Sequence, residues 1–160
     1  MSNKTVAASL PLLIFATVNS MVAQTMGPTL VGAWEFTATP QPAASAAPPS
    51  IEGLATFTSD GTVIETDTLS IVARVSPGHG IWQPGPIPGG YLFVRFMSLR
   101  PNPNGTLNTK QTVTMFLTVN STGHQFSGPY SIQVVDANGD TISTSKGTVE
   151  GKLIVHPLLP

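Results

Sequence analysis

In several segments between residue 31 and residue 155 apolar and polar residues alternate with a period of two, and turns rich in Gly, Pro, Asn or Asp separate them. That pattern constrains the fold more than anything else in the chain, because period two is the repeat of a strand with one buried and one solvated face. In the segment Thr106 to Val119, Val113, Met115, Leu117 and Val119 fall on one face and Thr112, Thr114 and Thr118 on the other. Val31 to Ala38 sets Trp34 and Phe36 against Glu35 and Thr37. His124 to Asp136 sets Phe126, Tyr130, Ile132 and Val134 against Ser127, Ser131 and Gln133. Further strands are predicted at Ile51 to Thr58, Thr62 to Asp67, Tyr91 to Leu99 and Thr141 to Val155, with a short extended piece at Gly80 to Gln83. Leu69 to Val75 suits a strand or a short helix. Gly147 and Gly151 are expected at a bulge or sharp bend.

Tight hairpins between successive strands favour an up-and-down meander, and closing it into a barrel removes the exposed edges. Closure matters here because only 9% of the residues are charged, which leaves few gatekeepers against edge-to-edge aggregation. The expected fold is therefore all-β: a single antiparallel up-and-down barrel of about eight strands. With the segment 39–50 (TPQPAASAAPPS) interrupted by prolines, no strand or helix is expected there, and it reads as a long loop. A second long loop is read at Ser76 to Gly90.

Ahead of this domain, Lys4 is followed by a mostly apolar run from Val6 to Val18, then Asn19, Ser20 and a small residue at Ala23. This is the layout of a secretory signal peptide, and the run is shorter than the roughly 20 residues of a membrane span. Residues 1–23 are thus expected to be a signal peptide, cleaved after Ala23 or Ser20, and residues 24–160 the barrel domain of a secreted or periplasmic protein. The chain has no cysteine, so no disulfide framework, thiolate metal site or cysteine nucleophile is possible. Seven Lys and Arg residues, scattered along a chain of net charge −1, form no basic stripe for nucleic acid. No cofactor motif or histidine spacing for a metal occurs, and a protein partner is not legible.

Gly32-Ala33-Trp34, then Phe57 to Val63 (FTSDGTV), then Ser76 to Trp82 (SPGHGIW) resemble small secreted bacterial proteins of lipocalin-like, calycin type. The resemblance spans most of residues 30 to 155. It implies a cup-shaped barrel holding a small hydrophobic molecule, with Trp34 as a plug at the closed end. The chain departs from true lipocalins in lacking their disulfide and a helix after the last strand. For the arginine that packs on the lipocalin tryptophan, Arg95 and Arg100 are the two candidates.

The residues from which a site could be built are the aromatic stock and three polar groups. Trp34, Phe36, Phe57, Trp82, Tyr91, Phe93 and Tyr130 are the candidate ligand contacts, with plain core packing as their alternative role. Glu65 turns inward if the Ser59-Asp60-Gly61 loop is a type I turn with a bulge, pairing Phe57 with Val63. A two-residue turn would put it outside. Arg95 could pair with an inward Glu65, and His79, flanked by glycines, could act as acid or base at a rim or merely brace its loop. Three functions follow: a secreted binder of a small hydrophobic molecule entering between the loops 39–50 and 76–90; a cofactor-free cyclase or isomerase using Glu65, His79 and Arg95; or a solidly packed barrel acting as an interaction module.

Overall fold

The computed structural model describes residues 29–41, 49–87 and 90–155, so the expected signal peptide lies outside the described residues. Eight strands form one closed barrel in chain order. They are β1 (Gly32–Pro40), β2 (Ile51–Phe57), β3 (Thr62–Asp67), β4 (Gly78–Pro84), β5 (Leu92–Pro101), β6 (Leu107–Val119), β7 (Gln125–Asp136) and β8 (Thr141–Leu153), with a short helix α1 (Thr68–Val72) between β3 and β4. Every neighbouring pair is antiparallel, and β1 closes the ring by pairing with β8 from Trp34↔Leu153 to Pro40↔Gly147. The up-and-down barrel read from the sequence is the observed architecture.

Alternation decides what is inside. Trp34, Phe36 and Ala38 of β1, Leu92, Val94 and Phe96 of β5, and Val113, Met115, Leu117 and Val119 of β6 are all buried in one core. The residues between them, such as Glu35, Thr37, Arg95 and Met97, are exposed. Glu35, Arg95, Glu150 and Lys152 lie on outward positions, where a membrane barrel presents an apolar belt.

Glycine and aromatic residues face one another across the inner wall. Phe36 is the register partner of Gly53 on β2 and of Gly151 on β8; Phe126 is opposite Gly151, Tyr130 opposite Gly147, and Phe96 opposite Gly80. A Cβ at Gly53, Gly147 or Gly151 would stand 2.3–2.6 Å from atoms of these rings. The rings therefore lie over bare backbone instead of filling the centre. This corrects the expected bulges at Gly147 and Gly151. Pairing runs unbroken through both, and the register shifts instead at Arg100/Pro101 and Val134/Val135.

The two ends of the barrel differ. At one end Leu30 and Trp34 are fully buried, and the Trp34 indole N–H donates to the Leu30 carbonyl oxygen at 2.7 Å. Trp34 packs on Phe126 with ring centres 5.0 Å apart. Neither candidate arginine takes that place: Arg95 points outward on β5, and Arg100 lies at the far end of the same strand. Trp82 closes a further part of this end. Its indole donates to the Thr58 carbonyl oxygen at 2.9 Å, and its ring stands edge-on to Phe57. The first and last strands leave the barrel here side by side, joined by Ile154 N–H donating to the Ala33 carbonyl oxygen at 2.8 Å.

Four connections lie at the other end: β1–β2, β3–β4 with α1, β5–β6 and β7–β8. The segment Ser76 to Gly90 was expected to edge this mouth as a loop. Its middle is instead the strand β4, which extends the piece expected at Gly80 to Gln83 at both ends, and its loop after Pro84 turns at the sealed end. Gly78 and Gly80 masked the start of the strand, because they give no apolar side chain to mark the inner face.

Candidate functional site

Glu65 enters the barrel because of a single turn. Thr58 N–H donates to the Thr62 carbonyl oxygen at 2.9 Å across Ser59-Asp60-Gly61, and Gly61 takes φ of +89°, the conformation a bulged type I hairpin demands. Asp60 braces the turn by accepting from Thr58 Oγ1 and from Thr62 N–H at 3.1 Å, and these hydrogen bonds, the Thr58 one foremost, lower its pKa. The register that results pairs Phe57 with Val63 and Ala55 with Glu65. Glu65 is 4% exposed. The bulged alternative is the one the chain adopts.

Two residues on, Asp67 caps α1. Its carboxylate accepts from Ser70 N–H at 2.6 Å and from Ser70 Oγ at 2.8 Å, which starts the helix and seats Ser70 inside. The ambiguous segment after Leu69 is thus helical at Thr68–Val72. It ends with Val75 N–H donating to Ser70 O at 2.8 Å and Arg74 N–H to Ile71 O at 3.3 Å. Arg74 has φ of +54°, the left-handed position that glycine favours after a helix.

A cavity of about 100 Å³ lies between this helix and the inner wall at the mouth. Phe36, Phe96, Met115 and Ile132 are among its apolar walls, with Leu69 and Ala73 of the helix segment on the mouth side. Glu65, Asp67, Ser70, Arg100, Gln111 and Tyr130 bring polar groups to it. It is smaller than the ~150 Å³ of an apolar cavity that takes up benzene, so the enclosed part of a ligand must be small.

Electrostatics in the cavity is dominated by the two carboxyls. Burial first, then the negative charge of Asp67 and a hydrogen bond with it, push the Glu65 pKa from 4.5 up to about 8. Two carboxylates sharing one poorly hydrated site cannot both ionise easily, so Glu65 keeps its proton at neutral pH. Burial also raises the Tyr130 hydroxyl. Arg100 sits at the solvent rim and does not figure among the groups acting on Glu65.

Of the residues singled out from the sequence, Phe36, Glu65 and Tyr130 are brought together around this cavity. Trp34, Phe57 and Trp82 gather at the sealed end. Tyr91 and Phe93 are on the outer wall, where both stack edge-on to Phe116 at 5.2 and 5.7 Å. Their expected place inside is corrected by the pairing of β5: Leu92, Val94, Phe96 and Ser98 face inward. His79 and Arg95 are also on outward positions, so neither meets Glu65.

Asp67, Ser70 and Phe96 were missed. An Asp with Ser three residues later, just ahead of an apolar pair, is a helix-start signal and would have identified the first two. Nothing local marks Phe96, because β5 is apolar on both faces. The Asn104-Gly-Thr106 and Asn120-Ser-Thr122 triplets, which match a glycosylation pattern, serve as turn braces. Asn104 Oδ1 accepts from Thr106 N–H, and Asn120 Oδ1 from His124 and Gln125 N–H, at 3.1–3.2 Å.

Compared with protein-family models, curated proteins and solved structures, the chain matches none. Among the described residues no helix is long and apolar enough to cross a membrane.

Proposed function

We propose that this protein is an exported, lipocalin-like binder of a small, largely apolar molecule held at the open end of the barrel. The observation that carries the reading is the contrast between the ends: one sealed by Leu30, Trp34 and Phe126, the other hollowed into an apolar cavity where a few polar groups converge. The place of Trp34, a plug that meets the inner end of the core, agrees with what the Gly-x-Trp resemblance implies. The cavity limits the enclosed part of the ligand to a small group. Native mass spectrometry of the protein purified from its own host, followed by solvent extraction, tests the reading. A stoichiometric small molecule is expected; an empty protein that also takes up no small apolar probe overturns it. Amino-terminal sequencing of the same sample tests export, with cleavage after Ala23 or Ser20 as the expected result.

One observation favours a second reading, a cofactor-free isomerase or cyclase. Glu65 holds its proton up to about pH 8 inside an apolar cavity, as a general acid requires. His79 and Arg95 have no part in such a site because they face outward. Turnover of an extracted ligand, lost in Glu65→Gln while binding persists, distinguishes the enzyme from the binder.

A further inference from the structure

The binder reading leaves the chemistry of the ligand open, and the hydrogen-bond inventory of the cavity narrows it. Asp67 spends one lone pair on each of two donors from Ser70, and its remaining capacity faces Glu65. Glu65 lines the same cavity, and once ionised neither carboxyl has a donor to offer it. Both offer acceptor oxygens only. Among the described residues that line the cavity the one cation is Arg100, whose side chain is exposed at the rim. The elements packed around Glu65 add little. On the neighbouring strands it faces Ala55 and Gly78, neither titratable, and across the cavity stand the Tyr130 hydroxyl, the Gln111 amide and, at the exposed rim, Arg100.

Glu65 is 4% exposed, lines a cavity beside a second carboxyl and has no cation opposite it on the neighbouring strands, which leaves the cavity itself as the place for one. We propose that the cavity selects a small protonated amine, whose N–H donors go to Glu65 and Asp67 while its hydrocarbon part lies among Phe36, Phe96 and Met115. This rests on the binder reading. An anionic ligand group at the same depth would meet the charge of Asp67 and find Arg100 only at the rim. The aromatic walls add to the preference, since a cation is attracted to ring faces.

Charge and protons balance in the exchange. The empty site carries one negative charge, on Asp67, with Glu65 neutral. When R–NH₃⁺ enters, Glu65 releases its proton to solvent, and two carboxylates with one ammonium again carry one negative charge. The amine takes the place of a proton. Its apparent affinity must then rise about tenfold for each pH unit up to the Glu65 pKa and level off above it.

The test is an NMR-detected titration of the protein with butylamine, 1-butanol and butanoate at pH 6, 7, 8 and 9. The expected order is butylamine tighter than 1-butanol by tenfold or more, with butanoate the poorest, and a pH dependence for butylamine alone. Glu65→Gln is expected to lose that preference and its pH dependence while still taking up 1-butanol, which shows that its barrel is intact. Equal binding of butylamine and 1-butanol, or tighter binding of butanoate, overturns the amine inference and leaves the binder reading standing. If none of the three perturbs residues around the cavity, both fall.

Discussion

The ring of Tyr130 stands where a side chain on Gly147 would have to be: a Cβ built there lies 2.6 Å from Tyr130 Cε1 and 2.3 Å from the Thr39 carbonyl oxygen. The two residues are register partners on β7 and β8, and the ring lines the cavity from that seat. Gly147→Ala is therefore expected to lower stability by ~1–3 kcal/mol through overpacking. It should also drive Tyr130 into the cavity, so that a small probe binds more weakly. Gly123→Ala is the control. Its Cβ meets nothing within 4 Å, and its φ of +74° predicts a cost of about 1 kcal/mol with no effect on binding. Urea unfolding and probe titration of the two variants check both halves.

The raised Glu65 pKa has a consequence for the whole fold. A carboxyl that binds its proton more tightly when folded stabilises the native state fully below its unfolded pKa, near 4.5, and loses that contribution as pH rises through about 8. Between those limits stability should fall with a slope of up to about 1.4 kcal/mol per pH unit. Glu65→Gln should remove the slope and make the protein more stable than the parent at pH 9. A parent whose urea midpoint rises from pH 5 to pH 8 would contradict it.

Trp34→Phe keeps the apolar bulk of the plug but deletes the indole N–H that donates to Leu30. The Leu30 carbonyl is then left buried without that donor, at a cost of roughly 1–3 kcal/mol. Because this contact is at the sealed end, ligand affinity should be unchanged once measured below the unfolding transition. A change in affinity would place Trp34 in the binding site after all.

Arg74 occupies a left-handed turn after α1 that costs a non-glycine residue ~1–2 kcal/mol. Arg74→Gly relieves that strain against a gain in unfolded-chain freedom, so a net stabilisation of about 0.5–1 kcal/mol is expected. Thermal unfolding at matched pH is the measurement.

Two tryptophan substitutions separate the walls of the barrel. Phe93→Trp, on the outer face beside Phe116, should leave probe binding as it is. Met115→Trp, on the inner face at the cavity, should abolish it. Binding lost in Phe93→Trp and kept in Met115→Trp would mean that the inner and outer faces of β5 and β6 are assigned the wrong way round.

What could be read from the sequence and what could not divide along physical lines. Strands such as β6, with apolar residues on one side and threonines on the other, declared both their existence and their inner face. Glu65 was legible only as one of two registers, since the choice rests on a one-residue difference in turn length that Ser59-Asp60-Gly61 permits either way. In β5 the order Leu-Phe-Val-Arg-Phe-Met places large apolar residues on both sides, so alternation is silent and the pairing with Gly80 and Leu117 decides. In β4 the first two inner positions are Gly78 and Gly80, so only the stretch from Gly80 to Gln83 read as extended. The cavity itself was not legible, because its walls opposite α1 come from β1, β5, β6 and β7, which lie far apart in the sequence.

The pairing of Ile154 with Ala33 has a practical meaning. The first and last strands meet at the sealed end, so among the described residues the mouth is edged by internal connections. A linker joining residue 155 to residue 30 would need only to bridge that one rim. A circular permutant could then open the chain elsewhere at the sealed end, and a surface tether placed there would present the mouth outward. The barrel is, in effect, a vessel with its handle at the base.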